Sequence, residues 1–99
     1  MKAKTAKMAR RLEDIPNIGK AVAEDLRLLG IHSPEALIGK NGLDLYHKLN
    51  KKTGVIHDPC MADTLMAAVD FMNGGPPKPW WEFTAKRKLI LKDKSKKYF

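Results

Sequence analysis

Three short stretches of this 99-residue chain hold residue types that could do chemistry. In "DIPNIGKAVAEDL", Asp14 to Leu26, Gly19 and Lys20 stand where a helix must begin after Pro16 and Asn17. Uncapped N–H groups and the positive end of the helix dipole face outward at such a place, and a glycine there leaves room for an anion. In "HDPC", His57 and Cys60 have the spacing of half a zinc site. Zinc requires four ligands, however, and no second pair accompanies them. A helix N-terminus beside a histidine also favours a thiolate, so a reactive Cys60 is an alternative. The simpler assignment makes Asp58 a helix cap, Cys60 a small buried residue in the first turn and His57 a local hydrogen-bonding group. In "PPKPWWEF", Trp80 and Trp81 follow a proline-rich linker. Indoles so placed can stack on unpaired bases. Alternatively they close the core of a small domain together with Phe83, and adjacent residues need not share one fate. No serine, histidine and aspartate constellation and no paired carboxylates stand out, so neither catalytic residues nor a metal or cofactor is expected.

The elements that position these residues read as helices. Met8, Leu12 and Ile15 recur at i, i+4 and i+7 among good helix formers, which predicts a first helix over the second half of Lys2 to Ile15. Pro16 stops it, because proline disfavours helical geometry in the residue before it. Ile18, Val22, Leu26 and Leu29 form the inner face of a second helix ending at Gly30. Ser33, Pro34 and Glu35 restart a short helix, with Leu37 and Ile38 expected inside. Asn41 caps the next, which runs to about Lys51 with Leu45, Tyr46 and Leu49 on one side. Asp58 and Pro59 open the strongest pattern, Met61, Leu65, Ala68, Val69 and Met72, which Asn73, Gly74 and Gly75 end. The methionines, including Met66, fit as core fillers. "PPKPWW" should be extended, and "KLILK" offers one strand without a partner. The expectation is an all-α, compact bundle of about five short helices with an extended C-terminal arm.

Size and charge narrow the function. A chain this short supports one small core, and an enclosed catalytic cavity is hard to build in it, so an enzyme is not expected. One cysteine excludes an intramolecular disulfide, and no secretory signal pattern opens the chain, which points to the cytoplasm. The basic start resembles a transit peptide only weakly, lacking serine. The longest apolar run, Leu65 to Val69, is far too short to span a membrane. The net charge of +8 is concentrated at the ends. Lys2, Lys4, Lys7, Arg10 and Arg11 precede the first acid, Glu13, and seven basic residues lie between Lys86 and Lys97 against Asp93 alone. The middle, Leu12 to Ala85, is net acidic. Basic ends suit a polyanionic partner, although they serve equally as solubilising tails.

"IPNIGKAVA" resembles the "LPGIGxxxA" signature of helix-hairpin-helix DNA-binding domains. Asn17 replaces the first glycine, and it is the residue that best tolerates the left-handed turn after glycine. Ala23 is the small residue that lets the helices pack closely. The resemblance implies that the amides of Ile18, Gly19 and Lys20 hold a DNA phosphate, with Lys20 adding charge and Lys7 or Arg11 meeting a neighbouring one; the basic tail offers Lys86, Arg87 and Lys88 as further accessory contacts. Such contacts read the backbone and not the bases. Against this, Asp14, Glu24 and Asp25 flank the turn with repelling charge, and Lys20 has Glu24 at i+4 as a pairing candidate. A wider resemblance covers Leu12 to Arg87: "IPNIGKAVAEDLRLLGI", "HDPCMADTLMAAVDFM" and "PWWEFT", in this order, look like the small bacterial pathogenicity-locus, or mitomycin-resistance-like, family. It implies an all-helical, SAM-domain-like fold with a degenerate second hairpin around Thr53 to Pro59. Gly54 alone remains there of a glycine, hydrophobic, glycine core, so no phosphate is assigned to it. The organisation read from this is a basic segment 1–11, a helix-hairpin-helix domain 12–85 and a basic tail 86–99. Two functions follow as expectations: a non-enzymatic module binding DNA without sequence preference, or a helical adaptor for a protein partner in which the hairpin is structural.

Overall fold

The computed structural model describes residues 2–90. Helix α1 covers Lys20–Leu28, α2 covers Gly42–Thr53 and α3 covers Pro59–Met72. A fourth helix, α4, takes in described residues 84–90. Short 3-10 turns at Ala6–Met8, Leu12–Asp14, Pro34–Leu37 and Trp80–Phe83 join and flank them. The described residues contain no strand, so the class expected from the sequence, an all-α bundle, is the one observed.

Helix α3 is the axis of the bundle. Ten of its fourteen residues are buried, on every side of the helix, because α2, the Pro34–Leu37 turn and the Trp80–Phe83 turn all pack on it. Helix α2 reaches it at Gly42, where a side-chain Cβ would lie 2.6 Å from the Met66 backbone. Only glycine permits that approach. Three caps expected from the sequence form: Asn41 Oδ1 accepts from the Leu43 and Asp44 amides, Asp58 Oδ1 accepts from the Cys60 amide, and Gly30 ends α1 at φ +87°. At that last position the Ile31 amide donates to Leu26 and the Gly30 amide to Arg27, which satisfies carbonyls the helix end would leave open.

The predicted first helix does not form. Residues before Pro16 make only two 3-10 turns, and Met8, expected on the inner face, is 57% exposed. The Asp14 carboxylate accepts hydrogen bonds from both the Arg10 and Arg11 amides, 3.0 Å each, which holds that backbone extended and removes the donors an α-helix would need there. Burial instead falls on Ala9, Leu12, Ile15 and Ile18, a spacing of three that suits 3-10 turns and not α-helix. Ala3 is buried as well, and its amide donates to the Asp14 carbonyl, so the basic start of the chain packs into the core. Two smaller expectations also change. Ile38 is exposed, since the Pro34–Leu37 turn ends before the chain can turn it inward. Residues of "KLILK" up to Ile90 are helical, so neither the strand nor a wholly extended arm is found; the rest of that stretch, with the tail 91–99, lies outside the described residues.

What folds the C-terminal segment back is a charge inside the bundle. Asp63, in the middle of α3, has 0% exposure. Its carboxylate accepts from Arg87 Nε at 2.7 Å, from Arg87 Nη2 at 3.3 Å and from Thr84 Oγ1 at 2.7 Å. An Arg–carboxylate fork with a third donor compensates the burial of the charge far better than a single contact would. Replacing Arg87 by methionine should therefore destabilise the protein by about 3 kcal/mol or more in chemical denaturation, because Asp63 is left buried without its counter-charge. Asp63→Leu in the same background should recover part of the loss.

Candidate functional site

The hairpin turn lies between the Leu12–Asp14 turn and α1. Ile15, Pro16, Asn17 and Ile18 make the reversal, with the Ile18 amide donating to the Ile15 carbonyl. Asn17 takes φ +74° and is the one described non-glycine residue with positive φ. Asparagine thus fills the left-handed position as the sequence leads one to expect. Its side chain does something a glycine could not: Nδ2 donates to the Lys78 carbonyl at 2.7 Å and Oδ1 accepts from the Trp80 amide at 3.2 Å. The turn is thereby tied to the proline-rich linker sixty residues on.

Ile18 is buried, whereas Gly19 and Lys20 are exposed. Gly19 is the N-cap of α1 and gives it no side-chain hydrogen bond, and a Cβ there would meet nothing within 4 Å. The first-turn amides of α1 have no intrahelical acceptor by construction. The two other long helices differ, since Asn41 and Asp58 occupy the corresponding donors of α2 and α3. Lys20 has no ion pair among the described residues; Glu24 pairs with Arg27 at 3.1 Å instead. Arg27 also meets Glu13 at 2.9 Å, and that contact holds the Glu13 carboxyl below its usual range. The Arg10 and Arg11 amides do the same to Asp14. Much of the acidic charge around the turn is thus engaged within the fold.

Lys2 is a contact the sequence reading missed. Its ammonium donates to the carbonyls of Glu13 at 2.7 Å, Ile15 at 3.1 Å and Ile18, so the cation caps the back of the turn. Partial burial lowers its pKa. A lysine in a uniformly basic start carries no signal that would single it out. Among the accessory candidates, Lys7, Arg11, Lys86 and Lys88 are exposed, with Arg11 4.0 Å from Asp14. Arg87 is turned inward on Asp63, and its charge is neutralised there.

The other candidate chemistry disperses. His57 Nδ1 lies 2.7 Å from Asn50 Oδ1, and the His57 carbonyl accepts from the Tyr46 hydroxyl, so His57 closes the connection between α2 and α3. Cys60 is exposed, not buried, and its thiol pKa is raised, first by its hydrogen bond to Asp58, then by partial desolvation and by the charges of Asp58 and Asp63. An activated thiolate needs the opposite. Among the described residues no group of three or more histidine, cysteine, aspartate or glutamate side chains is placed to share a metal ion. The two tryptophans take different fates: Trp80 is half-buried, Phe83 is buried and Trp81 is 62% exposed.

This all-helical domain, built around one buried central helix, belongs to the pathogenicity-locus family, whose family model (Cdd1) matches residues 5–89. It is similar to the mitomycin resistance protein McrB of Streptomyces lavendulae, 36% identical over 80 residues that cover 81% of this chain and 76% of that protein. No solved structure matches it. No helix among the described residues is long and apolar enough to cross a membrane.

The lowered carboxyl pKa values of Glu13, Asp14 and Asp58 set a pH dependence. A carboxyl whose folded pKa lies below its unfolded value stabilises the fold above about pH 4, and the contribution is lost as pH falls through the folded pKa. His47, whose pKa is pushed down by burial, acts in the same direction from about pH 6.5 downward. The melting temperature should decline gently from pH 7 to 5 and steeply below pH 4, which thermal scans across that range will check.

Proposed function

We propose that this protein is a non-enzymatic DNA-binding module of the cytoplasm that grips phosphates without reading sequence. The hairpin acts as a helix-hairpin-helix whose first helix is reduced to a 3-10 turn. The observation that carries this reading is the open start of α1. Gly19 leaves the first-turn amides uncapped and unobstructed, with Lys20 exposed beside them. Amides at a helix N-terminus plus one lysine make a small anion site; Gly19 and Lys20 are its residues, and Ile18, expected with them from the sequence, is left out because it is buried and its amide already donates to the Ile15 carbonyl. Lys7, Arg11, Lys86 and Lys88 add sequence-independent attraction, while Arg87 is left out because Asp63 holds it. The similarity to a protein named for mitomycin resistance is compatible with DNA contact.

A second reading, a helical protein-interaction adaptor, draws on the tip of the α2–α3 connection. Val55 and Ile56 are 59% and 79% exposed there, an apolar pair with no core role.

Titration of labelled duplex and single-stranded DNA with the full chain at two salt concentrations separates the two. Gly19→Glu has room for its side chain and keeps an ordinary backbone φ of −93°, so circular dichroism should be unchanged. Placing a carboxylate at the phosphate position should weaken binding by about tenfold and reduce the salt slope by about one. No binding at low salt sinks the DNA reading in favour of the adaptor, and equal binding by Gly19→Glu makes the hairpin structural.

A further inference from the structure

We infer that Trp81 is a stacking platform for an unpaired base, which makes single-stranded DNA the preferred ligand of the site; the inference rests on the DNA-binding reading above. A domain of 99 residues has few large apolar side chains to close its core, yet this indole is left 62% exposed. It is not loosely held. Trp81 lies in the Trp80–Phe83 turn, anchored on one side by buried Phe83 and closed by the Glu82 amide donating to the Pro79 carbonyl at 3.1 Å. The half-buried Trp80 ring meets it edge-on, with centroids 5.7 Å apart and planes at 85°. The exposed indole therefore stands on a turn whose backbone is closed by a hydrogen bond and whose neighbouring rings are packed into the bundle.

Its location relates it to the hairpin. The backbone of Lys78 and Trp80 is clamped by the Asn17 side chain, two residues before Gly19. One small polar side chain thus joins the turn that offers amides to a phosphate and the turn that offers an aromatic face. A nucleotide combines those two groups, an anionic phosphate and a flat base, linked through one sugar. In a duplex the base is stacked between its neighbours and out of reach; in a single strand it is free to lie on an indole. Charge near the two turns is mixed. Glu82 is exposed next to Trp81, while Lys20 lies at the hairpin and Lys86 and Lys88 follow on α4. Stacking, not charge, must then supply the preference for a single strand.

Three ligands separate the contributions: a twelve-residue oligothymidylate, an abasic strand of the same length with the same phosphates, and a duplex. Wild-type protein should bind oligothymidylate about tenfold more tightly than the abasic strand, with quenching of tryptophan fluorescence. Trp81→Ala, an exposed change that leaves the fold intact by circular dichroism, should abolish that preference while keeping abasic binding. Trp81→Phe should retain most of it. Gly19→Glu should weaken both strands alike. If wild type binds both strands equally, or Trp81→Ala keeps the preference, the stacking role is overturned while the DNA reading stands. Failure to bind any of the three at low salt overturns both. A Trp81→Ala protein that loses only self-association in sedimentation would assign the indole to a contact between copies and overturn the inference.

Discussion

The buried Asp63 carboxylate is the constraint on which the C-terminal third of this fold depends. A charge with 0% exposure inside a helix surrounded by apolar neighbours is tolerable only if donors come to it. Thr84 and Arg87 are those donors, and Arg87 lies on a segment that composition alone would leave as a solvated basic tail. Once α4 is drawn onto α3, Phe83 enters the core and the Trp80–Phe83 turn closes over the bundle. The linker 75–79 must then pass the hairpin, where Asn17 receives it. The same interaction removes Arg87 from the surface charge available to a partner.

At the hairpin turn an asparagine stands where the pattern it resembles carries a glycine. Asparagine in place of glycine keeps the left-handed turn, which needs only tolerance of positive φ. It also gains an amide that binds two backbone groups far along the chain. The limb before the turn is shortened to a 3-10 turn and braced by other means: Lys2 on three carbonyls, Asp14 on two amides, and Glu13 on Arg27. These polar contacts do the work that packing of a complete first helix would otherwise do. They also engage acids that, left free, would oppose an anion at Gly19.

Capping distinguishes the three long helices. Helices α2 and α3 begin with side chains that occupy their own first amides and are turned to internal packing. Helix α1 begins with a glycine on open surface. The difference lies in residue type at a single position in each helix. That is why it was legible in the linear pattern, with Asn41, Asp58 and Gly19 each recognisable where a helix starts.

Local physics accounts for what the amino-acid sequence determined by itself. The all-α class, the starts of α1, α2 and α3, the stop at Gly30 and the turn at Asn17 rest on capping, proline geometry and 3.6-residue periodicity, which act within a few residues. The family resemblance was readable for the same reason, since its blocks are contiguous. What lay beyond it were the outcomes decided by distant partners. Whether residues 2–15 become a helix turned on the Asp14 side chain competing for backbone amides and on a burial period of three, for which the helical spacing of Met8, Leu12 and Ile15 was a poor guide. The inward turn of Arg87, the clamp of Asn17 on the linker and the separate fates of Trp80 and Trp81 required the tertiary structure. They follow from which groups, dozens of residues apart, must share a desolvated space, and no local pattern encodes that.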